Sequence, residues 1–277
     1  MDSPTDYKQA AIDQWTADPC GEVVAEGETG TRAYFESLLQ SRDDYAHWMH
    51  DSLGYAQTAG LDVLDVGCGQ GIDVTRYALA GARATGMDLT PRHVELARKH
   101  TTAMGLDVTI VEGDAESMPF ADASFDRVSS NGVLHHTPDM PAALREIRRV
   151  LRPGGETRVI VYNRSSLHYW MNQVGYCGIV RGQLFQERSM AGVLSRGVEY
   201  SSTGARPLVR VYSPRQVRRM LNEAGFHDVS TTVRHFHAED AVLTGILEKR
   251  VTALREQKTL DRIGRAAGWY VVGVGRR

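Results

Sequence analysis

Residues 61–71, Leu-Asp-Val-Leu-Asp-Val-Gly-Cys-Gly-Gln-Gly, constrain this chain more than any other stretch. Val63, Leu64 and Val66 form a short apolar run whose β-branched valines suit a buried strand of a parallel sheet, and Asp65 interrupts it near its end. Gly67, Gly69 and Gly71 then alternate, and an amphipathic segment runs on from Ile72. Strand, glycine turn and helix in that order place the turn outside the carboxyl end of a strand, where open α/β sheets bind ligands. A ligand-free tight turn would use the same residues, so the residues farther along the chain must decide between the two.

A dinucleotide site has the spacing G-x-G-x-x-G, with the pyrophosphate at the helix N-terminus. Here the spacing is G-x-G-x-G with an acid, Asp65, two residues upstream of the first glycine, which disfavours a nicotinamide dehydrogenase. The first core helix is expected over 72–80 and the second strand over 82–87, with Asp88 at its end and Leu89 after it. An acid in that place offers two oxygens to the two hydroxyls of a ribose. Thr90 and Pro91 read as cap and first residue of the next helix, which Gly105 ends. A third strand over 108–111 leads to Asp114 and Ala115. A fourth over 125–130 opens into Asn131, Gly132, Val133, Leu134, His135 and His136. Histidine titrates near neutral pH and can take a proton from an acceptor hydroxyl, so His135 and His136 are the candidate bases; core packing of one and solvation of the other is the plain alternative. Asp139 caps a helix with Leu144, Ile147 and Leu151 on its apolar side, and a fifth strand comes after it over 158–162.

Three stretches carry a family resemblance: the glycine turn with Asp65, Gly67, Gly69 and Gln70; the run Gly-Asp-Ala-Glu-Ser-Met-Pro-Phe-Ala-Asp-Ala-Ser-Phe-Asp-Arg-Val from Gly113; and Leu134 through Gly155. Together they span about residues 60–162 and resemble the class I S-adenosylmethionine-dependent methyltransferases, nearest in pattern to the ubiquinone/menaquinone-biosynthesis and natural-product small-molecule types. The resemblance implies a Rossmann-like α/β fold, a seven-stranded mostly parallel sheet with helices on both faces. It implies an N-terminal helical cap or lid over 1–50 and a methyltransferase domain over 51–277, with an insertion after the fifth strand, about 163–212, walling the acceptor pocket. It implies S-adenosylmethionine as cofactor, held by Asp65, Gly67, Gly69, Gln70, Asp88, Leu89, Asp114, Ala115 and Asn131. Asp114 falls where relatives accept from the adenine amino group, and some relatives use the histidines of a similar Leu-His-His segment. The Asn/Asp-Pro-Pro-aromatic motif of DNA amino-methyltransferases is absent after the fourth strand. Arg42 is a candidate for a cofactor carboxylate.

The rest of the chain narrows the class. Its 277 residues are 42% hydrophobic, enough for a full core, and the net charge of −2 argues against a general nucleic-acid binder. The average hides two halves: residues 1–140 carry 9 Lys+Arg against 23 Asp+Glu, and residues 141–277 carry 23 against 11, read most simply as differently charged surfaces. Cys20, Cys68 and Cys177 lie far apart, which gives neither a zinc pattern nor a disulfide framework. The N-terminus lacks the basic and apolar regions of a secretory signal, and no apolar run reaches membrane-spanning length, so a cytoplasmic protein off the membrane is expected. The fifth strand ends in Asn163 and Arg164, poor metal ligands, so a catechol-type magnesium site is not expected. Farther on, Ser213 and Pro214 open a helix ended by Gly225; a sixth strand is expected over 229–236, mostly helix over 239–265, and a seventh strand over 269–274. The expected function is direct in-line methyl transfer to a small-molecule O, N or activated C acceptor, a biosynthetic or natural-product intermediate, with a homodimer as a candidate assembly. Two alternatives stand beside it: cyclisation or related non-methylating chemistry with the same cofactor, and a non-catalytic cofactor-binding partner protein.

Overall fold

The computed structural model describes residues 4–198, 201–237 and 256–277. Seven strands form one sheet: β1 (Asp62–Val66), β2 (Arg83–Asp88), β3 (Thr109–Glu112), β4 (Phe125–Asn131), β5 (Leu151–Tyr162), β6 (His227–Arg234) and β7 (Tyr270–Arg276), in the order β3-β2-β1-β4-β5-β7-β6. The pairs among β1 to β5 are parallel, and β7 lies antiparallel between β5 and β6. The strand order reverses between β1 and β4, which opens a crevice at their carboxyl ends.

The helices are α1 (Pro4–Ala17), α2 (Arg32–Ala46), α3 (Met49–Leu53), α4 (Ile72–Leu79), α5 (Pro91–Ala103), α6 (Met140–Val150), α7 (Gln183–Glu187), α8 (Met190–Gly197), α9 (Pro214–Glu223) and α10 (Gln257–Ala267), with a π-helical segment over His168–Val180. Neighbouring strand residues point to opposite faces of the sheet and feed two separate cores. Val63 packs with Val74 and Tyr77 of α4 and Val94 and Ala97 of α5. Leu64 and Val66 pack with Leu144 and Ile147 of α6 and Val217 and Leu221 of α9. Helices therefore cover both faces, as expected. No helix among the described residues is long and apolar enough to cross a membrane.

Element ends differ from expectation for identifiable reasons. β5 begins at Leu151, seven residues early, because a register shift against β4 between Phe125 and Arg127 absorbs Pro153-Gly154-Gly155. The C-terminus pins that bulge: Gly154 N–H donates to the Arg277 carbonyl and Arg277 N–H to that of Gly155. β6 stops at Arg234 rather than 236 because His235 takes a left-handed φ of 70°. Thr90 begins α5 without a side-chain cap bond; its N–H is instead held by Asp88. Asp139 and Ser213 cap as expected, Ser213 in a full capping box with Gln216. Helix is observed over Gln257–Ala267, and the expected helix over 239–255 lies outside the described residues.

The glycine turn admits no side chain at its first position. Gly67 has φ 74°, and a Cβ there would sit 2.3 Å from a Val133 methyl. Gly67→Ala is expected to destabilise the fold by about 1–3 kcal/mol, combining left-handed strain and overpacking. A urea midpoint unchanged from the wild type would contradict that geometry.

Candidate active site

Asp88 fastens the glycine turn to the end of β2. Gly67 and Cys68 N–H donate to the Met87 carbonyl at 2.7 and 3.0 Å, and Gly69 N–H donates to one Asp88 oxygen at 2.8 Å. The other Asp88 oxygen accepts from Thr90 N–H at 2.9 Å and the His93 ring at 3.3 Å. Burial alone would raise this carboxyl's pKa; the His93 ring and the two backbone N–H groups outweigh it and hold the group below the ordinary carboxylate value. Asp88 is thus a preformed anion at the crevice. A Cβ built on Gly69 or Gly132, both left-handed, would meet nothing within 4 Å among the described residues, since both border an open cavity. That cavity holds about 720 Å³, the size of a small-molecule site.

Ten of the candidate site residues singled out from the sequence line this cavity: Arg42, Gly67, Gly69, Gln70, Asp88, Leu89, Asp114, Ala115, Asn131 and His136. Asp65 and His135 do not. Asp65 is buried beneath the turn, where one oxygen accepts from Ser129 Oγ at 3.2 Å and the other has no partner among the described residues. Burial, reinforced by the Asp73 carboxylate, pushes its pKa well above the usual range. His135 is fully buried, 3.9 Å centroid to centroid from the Tyr162 ring, with neither ring nitrogen bonded among the described residues. Burial pushes its pKa well below 6.5, so it is a neutral core residue and not a base at the cavity. The 3₁₀ turn Leu134–His136 carries both rings, which stay in contact with centroids 4.2 Å apart, and only His136 reaches the cavity lining. One histidine enters the core and the other faces the cavity. His136 Nδ1 donates to the Leu208 carbonyl at 2.7 Å, since a carbonyl can only accept.

The N-terminal segment supplies residues that the sequence did not reveal. Lys8, Ala11 and Trp15 follow one face of α1 and line the cavity. Lys8 donates to Asp114 at 2.6 Å and pairs with Glu116 at 2.5 Å. Burial opposes the Lys8 charge, but its bonds to Asp114 and Glu116 outweigh this and raise its pKa. Trp15 stands edge-on to His136 with centroids 5.6 Å apart. Gln70 is tied into the cap, accepting from Tyr34 Oη and donating to the Cys20 carbonyl, each at 2.9 Å. Asp73, at the start of α4, accepts from Tyr55 Oη at 2.7 Å and Asn131 Nδ2 at 2.9 Å, with Arg42 of α2 at 4.0 Å. Burial works against the Arg42 charge, and Asp73 more than offsets it, so its pKa is raised. Aromatic rings also line the cavity, those of Tyr45, Tyr162, Tyr270 and His237, and the Tyr45 and Tyr270 hydroxyls lie 3.1 Å apart.

The insertion over 163–212, expected to wall the acceptor pocket, lies elsewhere. Among the described residues it contributes none to the cavity lining, and α1 and α2 take its place. No three metal-ligating side chains gather among the described residues.

Residues 64–159 match the family described as Methyltransferase domain. Over 176 residues the chain is 33% identical to the ubiquinone biosynthesis O-methyltransferase of Chromobacterium violaceum, covering 57% of this chain and 75% of that one. The chain belongs to the S-adenosylmethionine-dependent methyltransferase family. It is also 40% identical over 107 residues to a malonyl-acyl-carrier-protein O-methyltransferase of Erwinia pyrifoliae, a match that spans 39% of each chain. Its fold is similar, with a TM-score of 0.59, 21% identity and 96% of both chains covered, to that of a methyltransferase solved in complex with the Haloferax volcanii Trm112 methyltransferase activator.

Two buried histidines, His135 and His235, carry depressed pKa values and tie the stability of the chain to pH. Burial holds His135 well below its ordinary value and His235 down to about 3. Below the unfolded value of about 6.5 the unfolded chain takes up protons that these folded rings refuse, so their stabilising contribution is full above that pH and lost as pH falls. Asp65, raised in the fold, has the opposite sign: its contribution is present at low pH and is lost as pH rises toward its folded value. His135→Leu is therefore expected to lose less stability than the wild type between about pH 7 and pH 5. Urea midpoints across that range check it, and an identical slope in both proteins would contradict a buried neutral ring.

Proposed function

We propose that this chain transfers a methyl group from S-adenosylmethionine to a small-molecule acceptor by in-line displacement, with His136 as the base for a hydroxyl or activated-carbon acceptor. The observation that carries the reading is that one continuous cavity is lined by the glycine turn, Asp88 and Asp114 as well as by His136. The names of the two O-methyltransferase relatives support oxygen as the acceptor atom.

The residues present fit the cofactor. Gly69 and Gly132 leave the backbone open where any Cβ would enter the cavity. Asp88, already ionised, has lone pairs to spare for ribose hydroxyls. Asp114 and the Ala115 N–H suit the adenine edge, and Arg42, with Asp73, Asn131 and Gln70 around it, suits the zwitterionic methionine end. The cofactor supplies a methyl on a sulfonium, a good leaving group, so the protein's task is to position the nucleophile and exclude water. A turnover of about 1 s⁻¹ needs a barrier of about 17 kcal/mol. Alignment of the two reactants can supply about 7–11 kcal/mol of the reduction from the uncatalysed value. With Nδ1 of His136 donating to Leu208, the neutral ring's basic nitrogen is Nε2, which takes the acceptor's proton as the new bond forms. A neutral amine acceptor needs no such base before attack.

Calorimetric titration with S-adenosylmethionine and S-adenosylhomocysteine tests the cofactor assignment. Wild-type binding is expected, weakened at least about tenfold in Asp88→Ala, the equivalent of roughly one or two lost hydrogen bonds. Absence of binding by the wild type would sink the reading. With an acceptor found by screening hydroxylated compounds for methylated product mass, His136→Gln is expected to lower kcat by about 10²–10⁴ while cofactor affinity is kept. Turnover is expected to withstand EDTA; loss that Mg²⁺ restores would make the reaction metal-dependent.

A further inference from the structure

The insertion after β5, which does not line the cavity, bonds directly to the loop that carries His136. Residues 207–212 run as a strap beside that loop. Arg210 N–H donates to the His135 carbonyl at 3.0 Å. The Arg210 guanidinium donates to the carbonyls of Pro138 at 2.6 Å and Thr137 at 3.4 Å. The Leu208 carbonyl accepts from His136 Nδ1 at 2.7 Å. The strap is anchored on its far side as well: Ser195 Oγ of α8 donates to the Pro207 carbonyl at 2.8 Å, and Tyr212 N–H donates to the Tyr162 carbonyl at 2.9 Å. Val209, between the two functional positions, is buried and fixes the strap's register.

We propose that Arg210 is a positioning residue that, through the strap, fixes His136 as its Nδ1–H tautomer with Nε2 as the basic nitrogen at the acceptor. The partners dictate the chemistry. A carbonyl at Nδ1 selects the protonated nitrogen there, because only a donor can face it. That selection depends on holding the Leu208 carbonyl within hydrogen-bond reach of the ring. Arg210 does so by bracketing the histidine loop: its backbone N–H holds the residue before His136, and one guanidinium nitrogen, Nη1, reaches the carbonyls of the two residues after it. A neutral side chain at 210 would leave the Thr137 and Pro138 carbonyls without the guanidinium's charge-assisted bonds and let the loop slide against the strap. The insertion thus acts on the base from behind, which is why it has a function without lining the cavity. The inference rests on His136 being the base, but the tautomer can be measured without any acceptor.

Nitrogen-15 NMR of histidine-labelled full-length protein, with His136 assigned by comparison with His136→Gln, reads the tautomer directly. The wild type is expected to show a protonated Nδ1 and an unprotonated Nε2 in the neutral ring; a protonated Nε2 would overturn the proposal with no further variant needed. Arg210→Met is expected to show a tautomer mixture, and its His136 is expected to be carbethoxylated by diethyl pyrocarbonate about two- to tenfold more slowly at the cavity-facing nitrogen, the span that one hydrogen bond commands. Arg210→Lys, which keeps a cation and a donor, is expected to restore part of both signals. A folded Arg210→Met with the wild-type tautomer and reaction rate would overturn the proposal. The underlying reading fails separately: if His136→Gln turns over a screened acceptor at the wild-type rate, His136 is not the base, whatever its tautomer.

Discussion

One buried carboxylate, Asp88, holds the binding end of this molecule together. It joins the N–H of the glycine turn, the N–H that opens α5 and the His93 ring, so two strand ends and two helix starts meet at a single anion. Bonds of this kind, to an ionised acceptor, are each worth about 1.5–3 kcal/mol. The same group that sets the shape of the crevice is thus also the charge exposed to whatever enters it. Shape and electrostatics cannot be altered separately there.

A second consequence is the crowding of negative charge. Asp65, Asp73 and Asp88 surround one turn, and like charges packed away from water cannot all ionise freely. The structure resolves this by rank. Asp88 is bonded into ionisation and Asp65 is driven toward its protonated form. Asp73 is matched by Arg42, which reaches it from the cap. The cap is therefore part of the electrostatics of the turn as well as its cover.

How much of this was legible in the sequence depends on the range of the interactions. The sheet, its glycine turn and the cavity-lining Asp88 could be read because local period and turn chemistry dictate them, and Asp114 and Asn131, which line the same cavity, came from the family resemblance. The division of labour between His135 and His136 could not, because it depends on the rotation of a single 3₁₀ turn against Tyr162. Asp73 reads in sequence as an ordinary acid at a helix N-terminus, a place where such a residue needs no ligand to justify it. Lys8 and Trp15 were hidden for another reason. Their helix has only a weak apolar stripe, and they meet Asp114 and His136 over more than a hundred residues of chain. The strap at 207–212 has no periodicity of its own, and its role exists only in contact with another loop.

The first helix touches the cavity at two places. Lys8 grips the carboxylate pair and Trp15 leans on His136, two helical turns or about 10 Å apart along one stiff rod. The indole also stacks on His93, the ring that bonds Asp88. The contacts to Asp114, His93 and His136 are thus all set by the placement of one rigid element.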